Sequence, residues 1–255
     1  MTEPTLPEIA RFTTSAGLSL AYRHFAGTGP LIVFLPGYMS DMAGGKATAV
    51  MADAMARGQS CLLLDYSGCG ESEGEFADGT LSQWRDEVLA LIDHVGAGEP
   101  VVLAGSSMGG WLMLLVGLEL AARRGPEAVH AIVGIAAAPG FTDWGYSDEQ
   151  RDTLERGEVW FEENIYGPDP TPYHPKFYND AKALPALTDG IAITCPVRLL
   201  HGQKDPDVPW ELSLKLADAV ASEDVRIHLI KDGDHRLSRD SDVAMLLATV
   251  REVAA

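Results

Sequence analysis

The chain has 255 residues, of which 46% are hydrophobic and 22% are charged, values that are ordinary for a globular protein. This length suits one large α/β domain or two small ones. The formal net charge of −18 argues against binding to nucleic acid or to an anionic membrane, because both require clustered Lys and Arg side chains. Since no uninterrupted apolar run reaches about 18 residues, we also expect no membrane span.

The cysteines and the first residues bear on the cellular compartment. Cys61, Cys69 and Cys195 are odd in number and lack the spacing of metal ligands, which predicts structural thiols in a reducing compartment. The first eight residues carry acids and no basic segment followed by an apolar run, unlike a signal or transit peptide. We therefore expect a cytoplasmic protein.

In chain order, the first predicted elements are a short hairpin formed by residues 11–14 and 18–22, at the edge of a sheet. The continuous apolar run at 31–35 predicts a strand that is buried on both faces. It ends in a loop at 36–40, at the carboxyl end of the strand, where open α/β sheets place their ligands.

The rest of the chain alternates between predicted helices and strands. The helices span 46–57, 80–95, 107–124, 210–220 and 238–253, and the strands span 61–65, 101–105, 129–137, 197–201 and 225–230. Such alternation predicts an α/β fold, with a mostly parallel central sheet and helices on both faces.

Regularity breaks between residues 139 and 193, where aromatic residues mix with prolines and acids and only 148–156 and 176–184 look helical. We predict a single domain whose core comprises 1–138 and 194–255, with 139–193 inserted as a short lid. The alternative is an extra helical layer remote from the chemistry.

The segment Gly105-Ser106-Ser107-Met108-Gly109 fits the pattern G-x-S-x-G, the nucleophile elbow. Ser72 lies in a second match, but it is surrounded by glycines and acids. Ser107 alone stands between a predicted strand and a predicted helix, which is the context that the elbow requires. The alternative is a serine that caps an ordinary helix.

A serine nucleophile needs a base, and the base needs a third group that fixes its tautomer. In a fold with this elbow, both partners follow the serine on loops after strands. Of the seven histidines, His235 follows the last predicted strand. Asp205 and Asp207 follow the strand at 197–201, and Asp205 is preferred because it lies nearer the strand end, with Asp143 as an outside candidate.

The same loops also bear on a possible metal site and on the donors for an oxyanion. Asp232, Asp234 and His235 could be metal ligands, but no second histidine lies at helical spacing, so we predict no metal and no cofactor. The oxyanion of an acyl-transfer intermediate needs two donors, each worth about 3 kcal/mol. We predict the N–H groups of Met108 and Tyr38.

Predicted substrate contacts come from three places. They are the first loop, the lid and the segment after Asp205, represented by Met39, Trp144, Trp160 and Val208. The side chain of Tyr38 is a further candidate for the pocket wall.

These blocks together resemble the α/β-hydrolase superfamily over essentially the whole chain. Within it, residues 36–40, 65–68, 84–85, 105–114, 195–209 and 234–236 are similar to a subfamily of mitochondrial acyl-glucuronide esterases and palmitoyl-protein thioesterases. The resemblance implies that Ser107, Asp205 and His235 are the catalytic serine, aspartate and histidine. Because the transit peptide of the mitochondrial members is absent, we expect a bacterial-type cytoplasmic relative.

The resulting hypothesis is a serine hydrolase that cleaves a small-molecule ester or thioester through an acyl-enzyme at Ser107. Acyl glucuronides and palmitoyl-like thioesters are the candidate substrates. An acyltransferase or a carbon–carbon bond hydrolase with the same residues is the alternative, followed by a non-catalytic ligand-binding protein.

Overall fold

The computed structural model describes residues 5–96, 98–164, 167–187 and 190–255. Its strands, in chain order, are β1 (Ala10–Thr13), β2 (Ser19–Phe25), β3 (Thr28–Leu35), β4 (Gln59–Leu64), β5 (Val101–Ser106), β6 (Val129–Ile135), β7 (Trp160–Glu162), β8 (Thr171–Tyr173), β9 (Val197–Gly202) and β10 (Val225–Ile230). Its α-helices are α1 (Gly45–Arg57), α2 (Leu81–Val95), α3 (Met108–Arg124), α4 (Phe141–Trp144), α5 (Asp148–Glu155), α6 (Pro175–Ala181), α7 (Glu211–Ala219) and α8 (Asp240–Val253).

Within these described ranges, one sheet has the strand order β1-β2-β4-β3-β5-β6-β9-β10. Strand β2 pairs antiparallel with β1 and β4, and every other neighbouring pair of the sheet is parallel. The predicted α/β fold with a mostly parallel central sheet is confirmed. The edge hairpin of β1 and β2 also forms as predicted.

The alternation of side chains along the central strands covers both faces of the sheet. In β3, Leu31, Val33 and Leu35 belong to the buried cluster that contains α2 and α3. Ile32 and Phe34 belong to a second cluster, which contains α1 and α8. Successive side chains of a strand point to opposite faces, so a strand buried on both sides must be apolar at every position.

The region between β6 and β9 differs most from the sequence prediction. It contains the expected helices α5 and α6, but also α4 and an antiparallel hairpin of β7 and β8. Each hairpin strand has three residues, too few to produce a detectable alternation of apolar and polar residues. Phe177 and Ala181 of α6 pack into the same buried cluster as α2 and α3, so this region shares the main core.

No helix among the described residues is long and apolar enough to cross a membrane.

Candidate active site

Ser107 lies in a strained turn between β5 and α3. Its backbone adopts φ 55° and ψ −119°, a conformation that non-glycine residues rarely take. The glycines around it are required by close packing. A Cβ atom on Gly105 would overlap the backbone of Gly109, and one on Gly109 would overlap the carbonyl oxygens of Leu35 and Pro36. The turn therefore lifts the hydroxyl of Ser107 clear of the carboxyl end of β5.

Ser107, His235 and Asp205 form one chain of hydrogen bonds. Nε2 of His235 is 3.0 Å from Oγ of Ser107, and Nδ1 of His235 is 2.8 Å from Oδ2 of Asp205. The three residues follow β5, β10 and β9, so they meet at the carboxyl edge of the parallel sheet. These are the three residues predicted from the sequence, and the structure places His235 within hydrogen-bonding distance of both Ser107 and Asp205.

The loops after β9 and β10 approach each other closely enough to require glycine. A Cβ atom on Gly202 would overlap the backbone of Gly233 and Asp234. The N–H of Lys204 also donates to the carbonyl of Gly233, at 2.9 Å. This packing holds the loop of Asp205 against the loop of His235.

The carboxylate of Asp205 is inaccessible to solvent and fully engaged. Its Oδ1 accepts hydrogen bonds from the N–H groups of Asp207, at 2.9 Å, and Val208, at 2.8 Å. Burial by itself raises the pKa of a carboxyl group, but hydrogen bonds from His201 and His235 outweigh burial here. The pKa of Asp205 therefore lies well below its ordinary value, and the group is an anion at neutral pH.

A cavity of about 480 Å³ opens in front of Ser107 and His235. Its walls come from the loop after β3, the start of α1, the loop after β10 and the region around the β7–β8 hairpin. Besides Ser107 and His235, polar and charged side chains in its lining belong to Ser40, Asp41, Lys46, Asn164, Thr171, Tyr173, Asp207, Arg236 and Ser238. The cavity is thus suited to a ligand with several polar atoms near the reacting bond.

Only one of the four predicted substrate contacts lines this cavity. Met39 does so, and its side chain is 52% exposed. Val208 and Trp144 instead pack beside Leu212 in a small apolar cluster. Trp160 packs on a separate cluster around Leu154. These three side chains therefore lie outside the cavity lining: Trp144 and Trp160 pack on apolar clusters that include residues of the inserted region, and Val208 packs beside Leu212 of α7.

Several cavity residues were missed by sequence reasoning. Lys46 lies at the start of an ordinary amphipathic helix, so no motif marks it. Its Nζ donates to the carbonyl of Arg236, the residue after His235. Burial and the nearby Arg236 charge lower the pKa of Lys46 to about 8, although Asp234 and Asp242 oppose this shift.

Tyr38 joins the first loop to the β7–β8 hairpin. Its hydroxyl donates to the carbonyl of Pro172 at 2.8 Å, and its ring stacks on Tyr173 with centroids 5.4 Å apart. The ring also lies edge-on to Phe76 and Phe177. Burial raises the pKa of this phenol, so it stays a hydrogen-bond donor. Tyr38 lines the cavity as predicted and also anchors the hairpin beside it.

Ser72 and Asp143, the alternative candidates for the nucleophile and the acid, lie elsewhere in the structure. Oγ of Ser72 donates to the carbonyl of Asp65 at 2.7 Å and accepts from the N–H of Ala21 at 2.8 Å, so it ties a loop to the sheet. Asp143 lies exposed in α4. Neither position adjoins Ser107 among the cavity residues.

A metal at this edge would compete with existing hydrogen bonds. Asp205, Asp207 and His235 bring ligand atoms within 4.8 Å of one another. Both oxygens of Asp205 already accept hydrogen bonds. Of the acids considered as ligands from the sequence, Asp232 pairs with Arg239 at 2.7 Å and Asp234 accepts from the N–H of Leu237 at 2.9 Å.

The three cysteines are buried and free. Burial raises the pKa of every one of these thiols, to about 12 for Cys69 and about 11 for Cys195. They remain protonated at neutral pH and are poor nucleophiles.

Comparison with known proteins identifies the family. The model of the alpha/beta hydrolase family matches residues 32–246. Mitochondrial palmitoyl-protein thioesterase ABHD10 of Mus musculus is 40% identical over 242 residues, which cover 92% of this chain and 78% of the mouse protein.

Two solved structures are similar over nearly the whole chain. A crystal structure named as a hydrolase from Agrobacterium vitis S4 has a TM-score of 0.90 at 36% identity and covers 97% of this chain and 99% of its own. The structure of the mouse protein has a TM-score of 0.85 at 39% identity and covers 96% of this chain and 97% of its own.

These relatives correct the predicted compartment. The mouse, rat and human relatives are all named as mitochondrial proteins, which contradicts the expectation of a cytoplasmic protein. The expectation rested on the absence of a recognisable leader, and the first residues of a sequence are a weak guide to location. The match to the family model and to relatives of about 40% identity leads to one conclusion: this chain belongs to the α/β-hydrolase family and is a hydrolytic enzyme of the esterase and thioesterase type.

Proposed function

We propose that this enzyme cleaves acyl esters or thioesters through a covalent acyl-enzyme on Ser107, with His235 as the general base and Asp205 as its orienting partner. The observation that carries the proposal is the hydrogen-bonded chain from Ser107 Oγ through His235 to Asp205 Oδ2. A serine, a base within reach and a third group that orients the base are the parts that nucleophilic acyl transfer requires.

In the first half of the reaction, Ser107 Oγ attacks the substrate carbonyl carbon while its proton moves to Nε2 of His235. Asp205 stabilises the resulting imidazolium through the N–H on Nδ1. Collapse of the tetrahedral intermediate breaks the bond to the alkoxide or thiolate leaving group, which takes the proton from His235. In the second half, His235 takes a proton from water while the water oxygen attacks the acyl carbon. Collapse of this second tetrahedral intermediate breaks the bond between the acyl carbon and Ser107 Oγ, which takes the proton back from His235, and the acid leaves.

Two backbone N–H groups are proposed to hold the oxyanion. Met108 is the first residue of α3, and the first N–H groups of a helix have no acceptor within the helix. The second donor is the N–H of Tyr38. The adjoining Gly37 lies so near that a Cβ atom on it would be 3.4 Å from Cβ of Ser107. These positions support an oxyanion site between the loop after β3 and the start of α3.

The lid role of residues 139–193 and the substrate class belong to the same proposal. Asn164, Thr171 and Tyr173 come from this region and line the cavity, so it is in a position to shape the substrate site. The mouse and human relatives are named palmitoyl-protein thioesterases. We therefore infer S-acyl thioesters as the first substrate class. Acyl glucuronides are the second, favoured by the polar cavity wall with Lys46 and Arg236.

A fluorophosphonate probe tests the nucleophile. The protein is treated with the probe and digested, and the labelled peptide is identified by mass spectrometry. Ser107→Ala should abolish labelling and lower kcat by more than about 10⁴-fold. The matched control is Ser72→Ala, in the other serine with the same sequence pattern, which should keep the label. Wild-type turnover by Ser107→Ala would refute the mechanism.

The substrate class is tested separately, with purified wild-type enzyme. Acyl thioesters and acyl glucuronides of graded chain length are compared by kcat/KM. The inference requires a higher kcat/KM for thioesters of equal acyl length. A preference for the glucuronide would favour the second class instead.

A further inference from the structure

His201, at the end of β9, is a buried histidine with both ring nitrogens engaged. Its side chain is inaccessible to solvent. Nδ1 lies 2.7 Å from Oγ of Ser213 in α7, and Nε2 lies 3.0 Å from the carbonyl oxygen of Val208. The same Nε2 is 3.2 Å from Oδ2 of Asp205. A histidine placed in this way contacts the same carboxylate oxygen as His235 does.

We propose that His201 is a positioning residue, which holds the carboxylate of Asp205 in the orientation that His235 requires. The inference rests on the proposed roles of Asp205 and His235. Oδ2 of Asp205 is approached by His235 Nδ1 at 2.8 Å and by His201 Nε2 at 3.2 Å. The carboxylate is thereby fixed between two imidazoles, and its other oxygen is fixed by the turn that follows.

The contacts of Val208 extend this bracing to the backbone. The carbonyl oxygen of Val208 accepts from His201, and the N–H of Val208 donates to Oδ1 of Asp205 at 2.8 Å. One nitrogen of His201 therefore contacts both the carboxylate and Val208, the residue whose N–H binds that carboxylate. Loss of this nitrogen would remove one support of the turn from 205 to 208.

The chemistry of the neighbours assigns the ring tautomer. Nε2 faces two acceptors, the carbonyl of Val208 and the carboxylate of Asp205, so it must carry a proton. In the neutral ring, Nδ1 then accepts the proton of the Ser213 hydroxyl. Ser213, which is 2% exposed, thus supplies the hydrogen bond that Nδ1 needs in this tautomer. The chain of contacts runs from Ser213 through His201, Asp205 and His235 to Ser107.

Paired amide substitutions separate positioning from packing. In His201→Gln the amide nitrogen reaches the place of Nε2, whereas in His201→Asn it reaches only the place of Nδ1. Kinetics with p-nitrophenyl acetate, the pH profile of kcat/KM and thermal melting are measured for both. The matched control is His130→Asn, in an exposed histidine at the opposite end of neighbouring β6.

We expect His201→Asn to lower kcat by about 10- to 100-fold with KM little changed, because misplacement of a supporting group has effects of this size. Its pH profile should shift, since the carboxylate of Asp205 is no longer held in place beside His235. His201→Gln should recover most of the activity and the wild-type profile. His130→Asn should behave as wild type.

The inference is overturned if His201→Asn keeps wild-type kcat and pH profile. It is also overturned if the Gln and Asn variants lose activity equally while both melt earlier, since that result indicates a packing role. Failure of the proposed function gives a different result, namely turnover that persists in Ser107→Ala.

Discussion

Substitution of Asp205 by Asn tests the proposed relay most directly, because it removes a charge and changes almost no volume. Oδ1 of Asp205 accepts two backbone N–H groups, at 2.9 and 2.8 Å, so the amide oxygen of Asn must occupy this position. The amide NH₂ then replaces Oδ2, which lies 2.8 Å from Nδ1 of His235. Two donors cannot share that contact, so His235 must shift its proton to Nε2, which faces Ser107. The N–H on Nε2 of His201 also loses Oδ2 as an acceptor, but it keeps the carbonyl oxygen of Val208 at 3.0 Å.

The alternative orientation of the amide is unfavourable. It would set the NH₂ group against two backbone donors, and each unsatisfied buried group costs about 1–3 kcal/mol. With the proton on Nε2, His235 cannot accept the proton of Ser107. We expect kcat to fall by about 10⁴-fold, equivalent to about 5.5 kcal/mol of transition-state stabilisation. KM should change little, because the Asp205 side chain is inaccessible from the cavity.

The assay is steady-state hydrolysis of p-nitrophenyl acetate between pH 5 and pH 9, with thermal melting to verify folding. The matched control is Asp148→Asn, in a carboxylate that is 99% exposed at the start of α5. Activity of Asp205→Asn within tenfold of wild type would refute the assigned tautomer and the role of the acid. A rise in KM at unchanged kcat would place Asp205 in substrate binding instead.

Three further predictions concern stability. Because folding lowers the pKa of Asp205, its carboxylate stabilises the fold fully at pH values above its ordinary pKa of about 3.9, and this stabilisation is lost progressively as the pH falls below that value. The difference in unfolding free energy between wild type and Asp205→Asn should therefore narrow from pH 6 to pH 3. A constant difference would contradict the lowered pKa. Gly109→Ala should lower the free energy of unfolding by about 1–3 kcal/mol, measured by denaturant titration, because the added Cβ atom would overlap carbonyl oxygens at the end of β3. Gly45→Ala should be nearly neutral, because a Cβ atom at that position meets open space. Equal stability of the two variants would refute the steric argument. Tyr38→Phe should cost about 1 kcal/mol and speed amide exchange in β8. Tyr22→Phe, which removes a hydroxyl that is hydrogen-bonded to His94, should leave exchange in β8 unchanged. Unchanged exchange in Tyr38→Phe would show that Tyr38 does not anchor the hairpin.

The sequence alone determined the order and type of the core elements. The apolar runs at 31–35 and 101–105 indicate strands buried on both faces, because each is only about five residues long and alternates with longer helical segments. Local context distinguishes the elbow at Ser107 from the second match at Ser72. Ser107 stands between a predicted strand and a predicted helix, where closely spaced glycines are needed, and Ser72 does not. His235 and Asp205 could be predicted because each follows a strand, and the carboxyl ends of parallel strands meet at one edge of the sheet.

Which residues surround these three depends on how the chain folds. Trp144 and Trp160 are partly buried against small apolar clusters, while Lys46, from a helix without a motif, lines the cavity. No sequence pattern marks His201, because a histidine at the end of a strand is typical of an ordinary core position. Its contacts with Asp205 and Val208 depend on how β9, the following turn and α7 pack together. The order of the core elements and the position of the elbow follow from local sequence patterns. A cavity wall and a buried hydrogen-bond network are formed by segments far apart in the chain, and the distances between these segments depend on the folded backbone.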